Sequence, residues 1–170
     1  MVARFHLDYH DQTVAGNKKF AEVFPRNATG FRRWCAVDDH NKFFLKSRYT
    51  DKPVRHLMAA IPCMNEFYRY VQWHNLAFDT SRYMNLPTMM LHYDEYSDNL
   101  EATRDRILDW LELPHNGPGE PFHTGKVYRH YYSDEQRRAI RAFVQEFSSA
   151  ETWEQLKHYD FQLHPEAVTE

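Results

Sequence analysis

Pro87-Thr88-Met89-Met90-Leu91-His92-Tyr93 is a short apolar run that opens on a proline and stops at Asp94. A run of this length, bounded by turn residues, predicts a buried β-strand. The flanking sequence reads as helix. Within Asn65–Phe78, the residues Phe67, Tyr70, Val71, His74, Ala77 and Phe78 recur at helical spacing and form one apolar stripe. Beyond the run, Asp94–Asp98 reads as a turn. A helix then carries Leu100, Thr103, Ile107, Trp110 and Leu111 on one face. Asp98 and Glu101 stand at the spacing of a capping box. A lone apolar strand between helices belongs in a βα unit of a parallel sheet and needs neighbours. No other stretch reads as one, so the expectation is a partial α/β domain whose further strands precede Met1.

Farther out, more helices are expected. Residues 27–46 place Phe31, Trp34, Cys35 and Asp38 on one face, with Asn27 or Thr29 as the cap. Residues 1–24 carry Phe5, Tyr9, Val14, Phe20 and Val23 among polar neighbours, with Gly16 as a break. Residues 47–61, with Pro53 inside and Pro62 just beyond, read as a polar connection, and residues 113–132, rich in Gly and Pro, as a long loop. Ser133-Asp-Glu-Gln136 is a capping box that opens a helix with Ile140, Phe143, Val144 and Phe147 inward. A last short helix over 150–158 carries Trp153 and Leu156, and the chain reads as one domain over 1–163 with a loose tail at 164–170.

Composition narrows the classes. The chain has 170 residues, is 42% hydrophobic, and carries a formal charge of −3, so it is not a basic nucleic-acid binder. No apolar run approaches the ~20 residues of a membrane span. Two features point toward a luminal setting. Asn27-Ala28-Thr29 is an N-glycosylation pattern. Cys35 and Cys63 are an even pair, which one disulfide requires, although two cysteines are more often free than bridged.

Three blocks, in this order, carry a resemblance. Val71-Gln-Trp-His-Asn-Leu-Ala77 leads to Met89-Met-Leu-His-Tyr93-Asp94-Glu95-Tyr96, then to Ala102-Thr-Arg-Asp-Arg-Ile-Leu-Asp-Trp-Leu-Glu-Leu113. Phe122-His-Thr-Gly125-Lys126-Val-Tyr128 and Tyr132-Ser-Asp-Glu-Gln136 follow. This succession resembles the late part of sulfotransferase domains. There a strand closes in a Tyr-Glu-Asp-like turn, a helix ends in a Leu-Asp-Phe-Leu-Gly-Leu-like phrase, and an Arg-Lys-Gly loop precedes another helix. Met1-Val-Ala-Arg-Phe-His-Leu7 looks like the helix after the family's Arg-Asn/Asp-Pro segment. The region from Cys35 to Cys63, with Asn27, looks most like Golgi-type members of algal or protist character.

The resemblance implies the C-terminal portion of a P-loop-like, three-layer domain, mostly helical here with one or few parallel strands. It implies transfer of a sulfuryl group from PAPS (3′-phosphoadenosine 5′-phosphosulfate) to a hydroxyl or amine acceptor, without a metal. The acceptor is expected to be carbohydrate if the setting is the Golgi lumen, and a small phenol or steroid if it is cytoplasmic. Tyr93 then falls near the 3′-phosphate and ribose. Gly125 matches the loop glycine, His123 and Thr124 replace its Arg and Lys, and Lys126 supplies a point charge. Ala3 stands where the family often has Ser. The Cys35–Cys63 pair is implied to form a luminal disulfide, with Asn27 as a glycosylation candidate. The family's phosphosulfate loop and general base have no counterpart in these residues, so the chain is expected to be inactive alone. The alternative is a non-catalytic helical interaction module derived from the fold.

Other groupings are weaker. His6 and His10 have the i, i+4 spacing of helical metal ligands, next to Asp8 and Asp11, but lack a third ligand or an adjacent glutamate. Asp38-Asp39-His40 and His92-Tyr93-Asp94 are no better defined. His74, on an apolar face, reads as a core histidine with a satisfied ring. Asp94 and Glu95, being adjacent, read as turn or capping residues.

Overall fold

The computed structural model describes residues 1–40, 52–119, 128–157 and 159. Helices follow one another as α1 (Val2–Val14), α2 (Lys18–Val23), α3 (Ala28–His40), α4 (Lys52–Ala59), α5 (Met64–Tyr83), α6 (Glu95–Asp98), α7 (Leu100–Trp110), α8 (Asp134–Phe147) and α9 (Ala150–Leu156). A 3₁₀ turn spans Arg129–Tyr131. Among the described residues there is no strand, which corrects the α/β expectation: the described fold is helical. Residues 86–92 are irregular backbone. Here the His92 N–H donates to the Glu95 side chain at 3.0 Å instead of to a neighbouring strand. An isolated strand leaves its peptide groups unpaired, and a local side-chain acceptor removes part of that cost.

The described chain divides into two compact units, Met1–Thr80 with Tyr128–Glu170, and Ser81–Val127. In the first, two apolar clusters form the core. One gathers Met58 and Ile61, then Met64, Phe67 and Val71 of α5, with Ile140, Phe143 and Val144 of α8 and Leu156 of α9. The other gathers Val2, Phe5, Phe31, Cys35, Cys63 and Tyr131. Its rings meet at angles: Phe5 to Phe31 at 5.8 Å, and Phe31 edge-on to Tyr131 at 5.6 Å. Each fully buried phenylalanine contributes about 1.5–3 kcal/mol through burial.

Local signals explain the helix boundaries. The Ser133 hydroxyl accepts from Gln136 N–H while the Gln136 side chain accepts from Ser133 N–H, the capping box read from the sequence. The N-terminus of α5 is capped from a distance. The Asp39 carboxylate accepts from Met64 and Asn65 backbone N–H, each at 3.3 Å, and from the Asn65 amide at 3.0 Å. The Asn75 amide joins two helices: it donates to the Phe147 carbonyl at the end of α8, and its oxygen accepts from Ser149 N–H before α9. Gly30 is needed for a close approach, since a Cβ there would lie 1.8 Å from the Pro25 carbonyl oxygen.

In the second unit, Asn99 caps α7 by accepting from Ala102 N–H. The Asp98–Glu101 reading was therefore one residue early, and Asp94–Asp98 ends in the short helix α6 rather than a plain turn. Residues 47–61 also differ from expectation, because α4 occupies Lys52–Ala59. Pro53 sits in its first turn, where a missing N–H costs nothing.

Candidate functional site

Tyr93 lies on the turn just before α6 and is 57% exposed. Behind it the turn is held by polar contacts within its own unit. Glu95 pairs with Arg106, and its backbone carbonyl accepts from the Thr103 hydroxyl at 3.0 Å. The His92 N–H and the Arg106 guanidinium hold the Glu95 carboxyl below its ordinary range, the His92 bond being the larger cause. Arg104 pairs with Glu101 and donates to Asp105 at 2.9 Å and to the Gly117 carbonyl at 2.8 Å. His115 reaches Asp109 at 2.8 Å and Asp105 at 3.4 Å. The Gly119 N–H donates to Glu101 at 3.0 Å.

Arg104 and Arg106 are thus both engaged by carboxylates. His123, Thr124, Gly125 and Lys126 lie outside the described residues. Asp94, the residue before α6, makes no side-chain capping bond, while Glu95 does the turn-holding.

In the first unit, Cys35 and Cys63 are bridged, with Cα atoms 4.6 Å apart. The bridge is buried in the Phe5–Phe31 cluster. His6 Nε2 lies 2.7 Å from the Tyr131 hydroxyl, whereas His10 faces Asp11 at 3.4 Å. The two histidines therefore take different partners, and no group of three metal-ligating side chains occurs among the described residues. A cleft of about 380 Å³ is lined by Arg32, Asp39, Met58, Ile61, Met64 and Gln136, among others. Its helix N-terminus is already occupied by the Asp39 carboxylate. Sequence reasoning did not single out this role of Asp39; its partners lie 25 and 26 residues away, and no local pattern marks them.

His74 departs from the satisfied core histidine. Its Nε2 is buried without a hydrogen-bond partner, and its ring is flanked by Tyr70 at 4.4 Å and Trp73 at 4.9 Å between centroids. Burial lowers its pKa. The unfolded chain therefore takes up this proton at a higher pH than the folded one. Stability from this group is complete above the unfolded value of about 6.5 and declines as the pH falls toward the folded value. Urea unfolding between about pH 7.5 and 5 should show this acid-side loss, and His74→Leu should reduce its slope. An identical slope in the variant would assign the loss to other groups.

Against known proteins, the chain matches no family model, no curated protein and no solved structure. No described helix is long and apolar enough to cross a membrane.

Proposed function

We propose that this chain is the donor-side part of a sulfotransferase-like protein, holding the 3′-phosphate and ribose end of PAPS. On this reading the complete reaction sulfates a hydroxyl or amine acceptor, a carbohydrate in the Golgi lumen. The support is the order of the blocks that carry the resemblance. Val71–Ala77 falls inside α5, exposed Tyr93 on the turn before α6, Ala102–Trp110 in α7, and Ser133–Gln136 on the capping box of α8. Gly125 allows backbone to approach a phosphate closely. Lys126 brings a point charge, with His123 and Thr124 as donors in place of the family's Arg and Lys.

Sulfuryl transfer also needs donors on the bridging oxygen and a base on the acceptor hydroxyl. No residue of this chain matches the family groups with those roles. The reading therefore assigns this chain binding without turnover.

Calorimetric titration with adenosine 3′,5′-bisphosphate should show binding near the millimolar range, about −4 kcal/mol. Adenosine 5′-monophosphate should bind more weakly, and Lys126→Ala and Tyr93→Ala should each weaken the bisphosphate several-fold. Equal affinity for both nucleotides, or no binding at millimolar ligand, would remove the donor-site reading. Robust sulfate transfer by this chain alone would overturn the division of labour.

A second reading, a non-catalytic helical interaction module, is favoured by α5. Its Trp73 and Leu76 are each 65% exposed, and Tyr70 is exposed beside them. A helix face of this kind suits a protein partner, and this reading would stand if bisphosphate binding failed.

A further inference from the structure

We propose that Asn27 is a glycosylated asparagine in the mature protein, carrying an N-linked oligosaccharide while its oxygen caps α3. Independent observations converge on this residue. Asn27-Ala28-Thr29 has the acceptor pattern, with alanine and not proline between. Asn27 and Thr29 are both exposed. The Asn27 Oδ1 accepts from Thr29 N–H and Gly30 N–H, each at 3.0 Å. Its Nδ2 donates to no described residue, so the capping atom and the atom that would carry the glycan are different atoms of one amide. The Gly30–Pro25 approach holds this turn in place. The Cys35–Cys63 bridge joins the same helix to the residue before α5, and bridges persist mainly in proteins that fold in an oxidising compartment. Asparagine-linked transfer takes place in such a compartment.

The co-reactant is an oligosaccharyl pyrophosphate lipid. The Asn27 amide nitrogen forms a bond to the anomeric carbon of the first sugar. The bond from that carbon to the pyrophosphate oxygen breaks, the lipid pyrophosphate leaves with the electron pair, and the nitrogen gives up one proton to a base of the transferase. Oδ1 is untouched and continues to accept from the first turn of α3.

The test is peptide mass spectrometry on the full-length protein from the cells that make it, digested without reduction. Amidase treatment in heavy-oxygen water should convert Asn27 to a labelled aspartate, and the Cys35–Cys63 cross-linked peptide should appear in the same digest. Thr29→Ala should abolish the label and leave the cap. Asn27→Asp should abolish it while keeping an oxygen at the capping position. Unmodified Asn27 in molecules that carry the disulfide would overturn the proposal, as would labelling that persists in Thr29→Ala.

Discussion

Phe143→Ala should destabilise the protein by about 3–5 kcal/mol, the usual cost of emptying a buried phenylalanine site. Phe143 is fully buried in the cluster that joins α5, α8 and α9. Its ring meets Phe147 at 4.6 Å and Tyr68 at 6.5 Å. Truncation removes the transfer free energy of the ring and leaves a cavity, because the helices around it relax only in part. A domain typically has about 5–15 kcal/mol in total, so this one substitution removes a large share of it. Urea denaturation should show a lower midpoint with an unchanged slope, and Phe143→Leu should cost distinctly less. A loss under about 1 kcal/mol would mean that the α8 face is not the organising core.

The residues that set this core were legible from spacing alone. Ile140, Phe143 and Val144 recur at helical intervals behind the Ser133 capping box, and all three are buried. Phe67 and Val71 of α5 were placed on the right stripe for the same reason. Tyr70, on that stripe, is exposed, because the apolar stripe is wider than the face that packs. The apolar run at 87–93 was not legible, since a run this short has no period that separates strand from irregular chain. Its outcome is decided by pairing, and the His92 N–H found a side-chain acceptor three residues on. The helix α4 was hidden by Pro53, which reads as a breaker anywhere but in a first turn. Of the candidate site, Tyr93, read as the last residue of a buried strand, lies instead on an exposed turn. The engagement of Arg104 and Arg106 by carboxylates depends on side-chain geometry that no spacing reports.

Cys35→Ala with Cys63→Ala should lower stability by about 3–4 kcal/mol, on the chain-entropy account of closing a loop of this size. The bridge spans a sequence separation of 28 and ties α3 to the residue before α5. Without it the unfolded chain regains the freedom of that loop, whereas the folded chain loses only one covalent link between elements that still touch. Both sulfurs sit in an apolar cluster, so alanine avoids burying a new polar group as serine would. The same junction has a second tie in the Asp39 carboxylate, which accepts from the first two N–H groups of α5. Removing either tie leaves the other to hold α3 against the start of α5. Removing both should therefore cost more than the sum of the two separate losses, a coupling that a double-mutant cycle with Asp39→Ala measures directly. Strict additivity would mean that the bridge and the carboxylate act on separate parts of the fold. If the double alanine variant unfolded at the same denaturant concentration as the parent, the bridge would be a consequence of the packing between α3 and α5 and not one of its causes.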